Sequence, residues 1–142
     1  MSNILEFDLV WGGYYACKEQ ESGMFTIFRL LDFNYESYHY ALFNEEFKHL
    51  PTADDIKNLK PFIWHIPQAT DSLLLCESLT LIDRKALSKD DLDGYIYYLS
   101  EFDVPKDEQK KLVKTLIEFS HQEPMPIKMY KTNGKLQIEK RE

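Results

Sequence analysis

The chain carries four histidines, the side chains best suited to acid–base chemistry near neutral pH: His39, His49, His65 and His121. No two of them have the spacing of an HxxxH or HExxH metal motif, and none lies beside a serine or cysteine in a nucleophile motif. His39, His65 and Cys17 all fall in predicted strands, so their side chains could converge if one sheet holds them. The simpler interpretation is that the histidines are partly buried and structural.

Adjacent carboxylates are the next candidates for acid–base chemistry, at Glu45-Glu46, Asp54-Asp55 and Asp90-Asp91. Adjacent side chains diverge, whereas the two carboxyl groups of a glycosidase face each other across about 5–10 Å. Two of the three pairs lie at predicted helix starts, where the positive end of the helix dipole accounts for them. The glycines match neither GxGxxG nor GxxxxGK[ST]. We therefore predict no catalytic residue, no cofactor and no enzymatic activity.

Two cysteines, Cys17 and Cys76, have no CxxC or Cys/His spacing, so we predict no metal site. Residues 1–6 include no basic segment, and Asp8 interrupts the first apolar stretch, so we expect no export signal. Apolar runs are far shorter than the roughly 20 residues that span a bilayer. These features predict a cytoplasmic protein without membrane contact, in which both cysteines are buried reduced thiols.

The net charge of −7 is unevenly distributed along the chain. Residues 1–103 carry 18 acidic and 8 basic side chains, whereas residues 104–142 carry 6 acidic and 9 basic ones. An acidic main body repels phosphate groups, which disfavours nucleic-acid binding. We expect a basic protein as the partner.

The helix predicted over residues 88–102 carries the candidate partner-binding residues: Asp90, Asp93, Tyr97 and Glu101. At about 100° per residue these four lie within about 80° of one another, opposite the apolar face. Exposed tyrosine is common at binding hot spots, and carboxylates steer association with cations. The alternative is a solvated helix face with one incidental tyrosine.

The remaining elements are predicted from periodicity and from turn residues. We expect strands over 7–18, 24–33, 38–43, 62–66 and 72–82, with a bend at Gly12-Gly13 and an interruption near Glu77. Thr52 caps a short helix that ends before Pro61, and Ser88 caps the helix over 88–102. That second helix turns five apolar residues inward: Leu92, Tyr95, Ile96, Leu99 and Phe102. A third helix runs over 105–120.

The C-terminal segment predicts a β-hairpin. Asn133-Gly134 is the preferred pair for a two-residue turn, and it places Lys131 opposite Leu136, Met129 opposite Ile138 and Ile127 opposite Lys140. The predicted fold is one α+β domain over residues 1–142. It is a curved antiparallel sheet of about five to seven strands, a meander plus the hairpin, with two main helices packed on one side.

Five segments in this order resemble a family of small bacterial domains that are similar to the immunity proteins of polymorphic toxin systems: Gly-x-Tyr-Tyr-Ala ending at Ala16, Gly23-x-Phe-Thr-Ile-Phe-Arg-Leu-Leu, Tyr38-His39-Tyr40, Phe47-x-x-Leu-Pro51 and Leu92-x-Gly94-Tyr95. The resemblance covers residues 11–98 and supplies no catalytic residues. It implies a stable acidic domain that binds a toxin and covers its active site.

The expected function is therefore a protein-binding module, most concretely an immunity-type inhibitor of a bacterial toxin. Two alternatives stay open. One is a small enzyme with a composite site drawn from the strands of His39 and His65. The other is an oligomeric structural or regulatory domain in which the basic C-terminal part of one copy meets the acidic body of another.

Overall fold

A computed structural model describes residues 5–8, 10–34, 37–69, 76–121, 127–132 and 135–140. The elements in chain order are β1 (Leu5–Asp8), β2 (Gly13–Glu19), β3 (Phe25–Asn34), β4 (Ser37–Phe47), α1 (Ala53–Ile56), β5 (Ile63–Ala69), β6 (Cys76–Arg84), α2 (Lys89–Glu101), α3 (Lys106–Ser120), β7 (Ile127–Thr132) and β8 (Lys135–Lys140).

The fold is α+β, as predicted. Five antiparallel strands form an open sheet in the order β5-β4-β3-β2-β6, and α2 and α3 pack against it. β2, β3, β4 and β5 follow one another as a meander, and β6 then returns to pair with β2 at the opposite edge. This leaves β5 and β6 as the two edge strands.

Side-chain alternation along the strands separates two apolar clusters. Tyr15 enters the main core, which the sheet forms with Leu92 and Leu99 of α2 and Leu116 of α3. The neighbouring residue Ala16 enters a smaller cluster with three other buried residues: Ile27, Phe43 and Ile56 of α1. Because successive strand residues point to opposite faces, the two main helices and α1 lie on opposite sides of the sheet.

The strand predicted over 7–18 is two strands in two sheets. The predicted bend at Gly12-Gly13 is confirmed as a turn, in which Gly12 has a φ of 78°. A Cβ atom on Gly12 would lie 2.1 Å from the carbonyl oxygen of Lys85. The turn at Gly12, which lies between β1 and β2, therefore packs closely against the backbone at Lys85. Local periodicity cannot show a contact between segments so far apart in sequence.

The hairpin register is confirmed, with Ile127 opposite Lys140, Met129 opposite Ile138 and Lys131 opposite Leu136. β7 also pairs with β1, so the three strands form a separate sheet of order β1-β7-β8. The turn residues 133–134 and the start of the strand predicted over 72–82 lie outside the described residues. So do residues 35 and 36, in the gap expected between the strands over 24–33 and 38–43, whereas Asn34 belongs to β3. Near Glu77 the pairing of β2 with β6 shifts register, so the interruption expected there is a bulge within a continuous strand.

Both predicted capping residues begin helices. Thr52 forms a capping box with Asp55, and Ser88 forms one with Asp91. On α2 the predicted inward residues Leu92, Tyr95 and Leu99 are buried, but Phe102 is 64% exposed, so its inward assignment is wrong. The reason is that α2 ends at Glu101 and Phe102 is its C-cap. The helices of the described ranges have 4, 13 and 15 residues, and none is long and apolar enough to cross a membrane.

Cys17 and Cys76 form a disulfide, with their Cα atoms 5.4 Å apart, so the expectation of reduced thiols is wrong. The bond joins β2 to β6, which are neighbours in the sheet although 59 residues separate the cysteines. Antiparallel pairing brings the two side chains within bonding distance. The expectation of reduced thiols rested on the cellular compartment alone, because the pairing of β2 with β6 is not visible in the sequence.

Gly12→Ala and Gly23→Ala form a matched test of the turn that separates β1 from β2. Both glycines have positive φ, but a Cβ on Gly23 meets nothing within 4 Å. We expect Gly23→Ala to cost about 1–2 kcal/mol for the left-handed backbone alone. Gly12→Ala should cost at least about 2 kcal/mol more, because the Lys85 carbonyl must move. Urea unfolding measures both, and equal losses would contradict the close approach.

Candidate functional site

The outer face of α2, defined as Asp90, Asp93, Tyr97 and Glu101, is solvent-exposed at all four positions. Tyr97 is 70% exposed, the largest exposure among the exposed large apolar and aromatic side chains that the structure describes. The opposite face of the same helix buries Leu92, Tyr95 and Leu99. The structure thus places the predicted partner-binding residues on one surface.

Arg29 of β3 attaches the start of α2 to the sheet. Its side chain is 7% exposed, and its Nη1 atom lies 3.0 Å from Oδ1 of Asp91. The Nη2 atom donates to the carbonyl oxygens of Lys85 and Ala86, at 3.1 and 3.2 Å. The guanidinium carbon lies 4.9 Å from the centre of the Tyr14 ring. A buried charge is tolerated where an opposite charge and hydrogen-bond acceptors surround it, as they do here.

Asp91 also caps the N-terminus of α2. Its Oδ2 atom accepts a hydrogen bond from the backbone N–H of Ser88 at 2.9 Å, which completes the capping box. One carboxylate therefore stabilises the helix start and binds the buried arginine. The adjacent carboxylate, Asp90, points outward, as expected for neighbouring side chains on a helix.

Asp32 of β3 fixes the middle of α2. This carboxylate is buried and accepts a hydrogen bond of 2.8 Å from the Tyr95 hydroxyl. The indole N–H of Trp11 donates to its other oxygen at 3.4 Å. A buried carboxylate that accepts from two different elements resists rotation of α2 about its axis. Together with Arg29, it determines which residues of α2 face the solvent.

His39 of β4 and His65 of β5 meet beneath the same helix. His39 Nδ1 and His65 Nε2 are 2.9 Å apart, so one nitrogen donates to the other. The His65 ring lies 5.1 Å from the Tyr95 ring and 4.7 Å from the Tyr98 ring, both on α2. Burial, and secondly the neighbouring His39, lower the pKa of His65 to about 4. His65 is therefore neutral at pH 7.

The convergence considered for His39, His65 and Cys17 is confirmed for the two histidines only. β3 lies between the strand of Cys17 and the strand of His39, and Cys17 is bonded to Cys76. His39 is 1% exposed, which closes its ring to a substrate from solvent. The two histidines can form a hydrogen bond with each other. Their rings also pack β4 and β5 against α2.

The other residues considered for chemistry lie elsewhere. His49 is exposed in the loop after β4, and His121 is the exposed C-cap of α3. Glu45 and Glu46 are exposed on β4, and Asp54 and Asp55 lie in α1. Within the described ranges, no three His, Cys, Asp or Glu side chains are grouped to hold a metal ion.

Trp64 is a surface aromatic that sequence reasoning missed. It lies on the edge strand β5 and is 48% exposed. A Cβ atom on Gly94 of α2 would lie 3.3 Å from the Trp64 Cβ and 3.2 Å from the His65 Cβ. The glycine therefore lets α2 approach β5 closely. The available signal was Pro67, because proline within a strand indicates a sheet edge, where one side of the strand stays accessible.

Comparison of the chain with protein-family models, with curated proteins and with solved structures finds no match.

Lowering the pH should destabilise the folded chain through His65. The unfolded chain gains this proton near pH 6.5 and the folded chain only near pH 4. Its contribution to stability is therefore complete above about pH 6.5 and is lost as the pH falls toward 4. Chemical denaturation from pH 7.5 to 4.5 should show this loss in wild type and a flatter profile in His65→Gln.

His49→Gln is the control for that series, because it removes an exposed histidine that is not a member of the pair. Its profile should follow wild type. A His65→Gln profile as steep as wild type would contradict the assignment of the pH dependence to the buried pair.

Proposed function

We propose that this chain is a protein-binding module, and most concretely an immunity-type inhibitor that occludes a basic bacterial toxin with the outer face of α2. One observation carries the proposal. Tyr97 is 70% exposed among three exposed carboxylates, on a helix whose rotation is held by buried polar contacts. The proposal includes no reaction by the chain itself.

A tyrosine on a firmly anchored helix supports tight binding. Ordering flexible side chains costs free energy on association, and a tyrosine on a fixed helix loses little because it has few rotatable bonds. Hot spots are enriched in tyrosine and tend to lie near the centre of an interface. Tyr97 lies between Asp93 and Glu101 along α2, which suits a central anchor with a charged surround.

The charges supply steering and selectivity. The outer face of α2 adds three carboxylates to a body, residues 1–103, whose net charge is −10. Such a surface accelerates encounter with a cationic partner and repels nucleic acid. A nuclease toxin has a basic groove for phosphate, and an acidic surface imitates that ligand without being cleaved. Occlusion of such a groove fits the resemblance to immunity proteins.

Self-association is a second candidate, favoured by the outer side of α3. Four lysines there are exposed: Lys106, Lys110, Lys111 and Lys114. They could meet the outer face of α2 on another copy. Sedimentation at 50 mM and 500 mM salt tests this, because contacts between exposed charges weaken as salt rises. A monomer at both concentrations contradicts self-association.

An enzyme is the third candidate, and the meeting of His39 with His65 is the observation that favours it. His65 is half-buried and neutral at pH 7, as a general base must be. The burial of His39 weighs against it, since only one of the two rings can face a substrate.

Tyr97→Ala should weaken binding to the C-terminal domain of a toxin encoded by the neighbouring open reading frame. We expect a loss of about 30-fold or more, the size of a hot-spot truncation. The Tyr97 side chain is exposed, so unfolding of the variant should match wild type. Calorimetric titration measures the affinity, and rescue of cells that express the toxin domain measures protection.

Reversing one charge on the outer face of α2 and one charge elsewhere on the surface gives a matched pair of variants. Asp93→Lys and Glu45→Lys change the net charge equally, and both replace an exposed carboxylate, but only Asp93 lies on the outer face of α2. Asp93→Lys should lose binding and Glu45→Lys should retain it. Equal losses, or no binding by wild type, would contradict the proposal.

The cytosol is the compartment proposed for this function, and the disulfide weighs against it because disulfides persist mainly in oxidising compartments. In a reducing cytosol Cys17 and Cys76 would be free thiols in intact cells, in place of the disulfide of this structure. Alkylation with a maleimide polymer after acid quenching should then add two mass increments without prior reduction. An unmodified pair that reacts only after reduction would contradict a cytosolic location.

A further inference from the structure

Three rings in contact form a row from the C-terminal end of α2 to the edge strand β5. The ring centres of Phe102 and Tyr98 are 4.8 Å apart, and those of Tyr98 and His65 are 4.7 Å apart. Phe102 is 64% exposed, whereas Tyr98 and His65 are partly exposed. These three residues are called the aromatic row below.

The aromatic row continues directly from the outer face of α2. Tyr98 follows Tyr97 in the chain, so the two side chains differ by about 100° in direction around the helix. Among the large apolar and aromatic side chains in the described ranges, Tyr97 is the most exposed and Phe102 is the second. Single exposed apolar residues are ordinary, but two at the end of one helix, joined to further rings, form a patch that indicates an interaction site.

We infer that the aromatic row receives an apolar side chain, aliphatic or aromatic, from the basic protein partner. The inference rests on the proposed function and adds an apolar centre to the interface. Stable interfaces combine an apolar centre with a polar rim, and their hot spots lie where water is excluded. The outer face of α2 alone offers three carboxylates and one tyrosine, so the row supplies the apolar surface that such a centre needs.

The charges around the row determine which segment of a partner fits it. The exposed carboxylates Glu101 and Asp103 are the chain neighbours of Phe102, and the last turn of α2 has no basic side chain. The C-terminal end of a helix also carries partial negative charge. A cation therefore binds at this border, where it keeps part of its hydration, whereas the rings accept an apolar group. The matching segment has basic residues beside one apolar side chain.

Phe102→Ser and Phe102→Leu test whether the row makes an apolar contact. Phe102→Ser should weaken binding to the C-terminal toxin domain about 10-fold or more, and Phe102→Leu should stay within about 3-fold because it keeps an apolar side chain. Leu50→Ser is the matched control, because Leu50 is 48% exposed and precedes α1, on the other side of the sheet. It should bind as wild type does. Urea unfolding should be similar for all three variants, since both residues are exposed.

The salt dependence of these losses distinguishes an apolar occupant from a cation. Sodium chloride screens contacts between exposed charges, whereas burial of apolar surface needs no charge. Calorimetric titration at 50 mM and 500 mM salt should give the same fold-loss for Phe102→Ser, and a smaller fold-loss at high salt for Asp93→Lys. A Phe102→Ser loss that shrinks with that of Asp93→Lys would assign a cation to the row and overturn the inference.

A second copy of the chain is the other possible occupant, and sedimentation of wild type alone tests it. A monomer agrees with the inference, whereas a dimer that Phe102→Ser dissociates would overturn it. Binding that Tyr97→Ala weakens and Phe102→Ser leaves unchanged would also overturn the inference, but would keep the proposed function. No binding of the toxin domain by wild type would overturn both.

Discussion

The placement of α2 depends on one ion pair, between the buried Arg29 and the partly exposed Asp91. Arg29 reaches from β3 to three segments at once: the turn at Gly12, the backbone at Lys85 and Ala86, and the first turn of α2. A buried guanidinium is costly unless all its surroundings accept hydrogen bonds, so these segments must stay together once the chain folds. Loss of the Asp91 charge would leave the buried Arg29 guanidinium without its carboxylate partner.

Two further polar contacts continue this anchoring along the helix. Tyr95 donates to Asp32, and the rings of His39 and His65 pack under Tyr95 and Tyr98. Apolar packing alone tolerates small rotations of a helix, whereas directional contacts do not. Because these contacts fix the rotation of α2, they also fix the position of its outer face. The buried polar contacts on one side of α2 thus hold the proposed binding surface on its other side in place.

Local signals predicted much of this arrangement. The capping residues of α2, its exposed face and the register of the C-terminal hairpin follow from helical periodicity and turn chemistry, which act over a few residues. By contrast, the partners of Arg29, the Cys17–Cys76 bond and the close approach of Gly94 to Trp64 depend on segments far apart in sequence. One signal was overlooked: Arg29 and Asp32 interrupt an otherwise apolar strand, which indicates charges that must find partners in the interior.

Hydrogen–deuterium exchange of the chain alone and bound to its toxin domain tests most directly that the outer face of α2 is the binding surface. Exchange would be followed by peptide over α2, α3 and β5. Added protection at the C-terminal end of α2, with no change in α3, is the predicted result. Protection confined to α3, or to the sheet edge at β6, would contradict it.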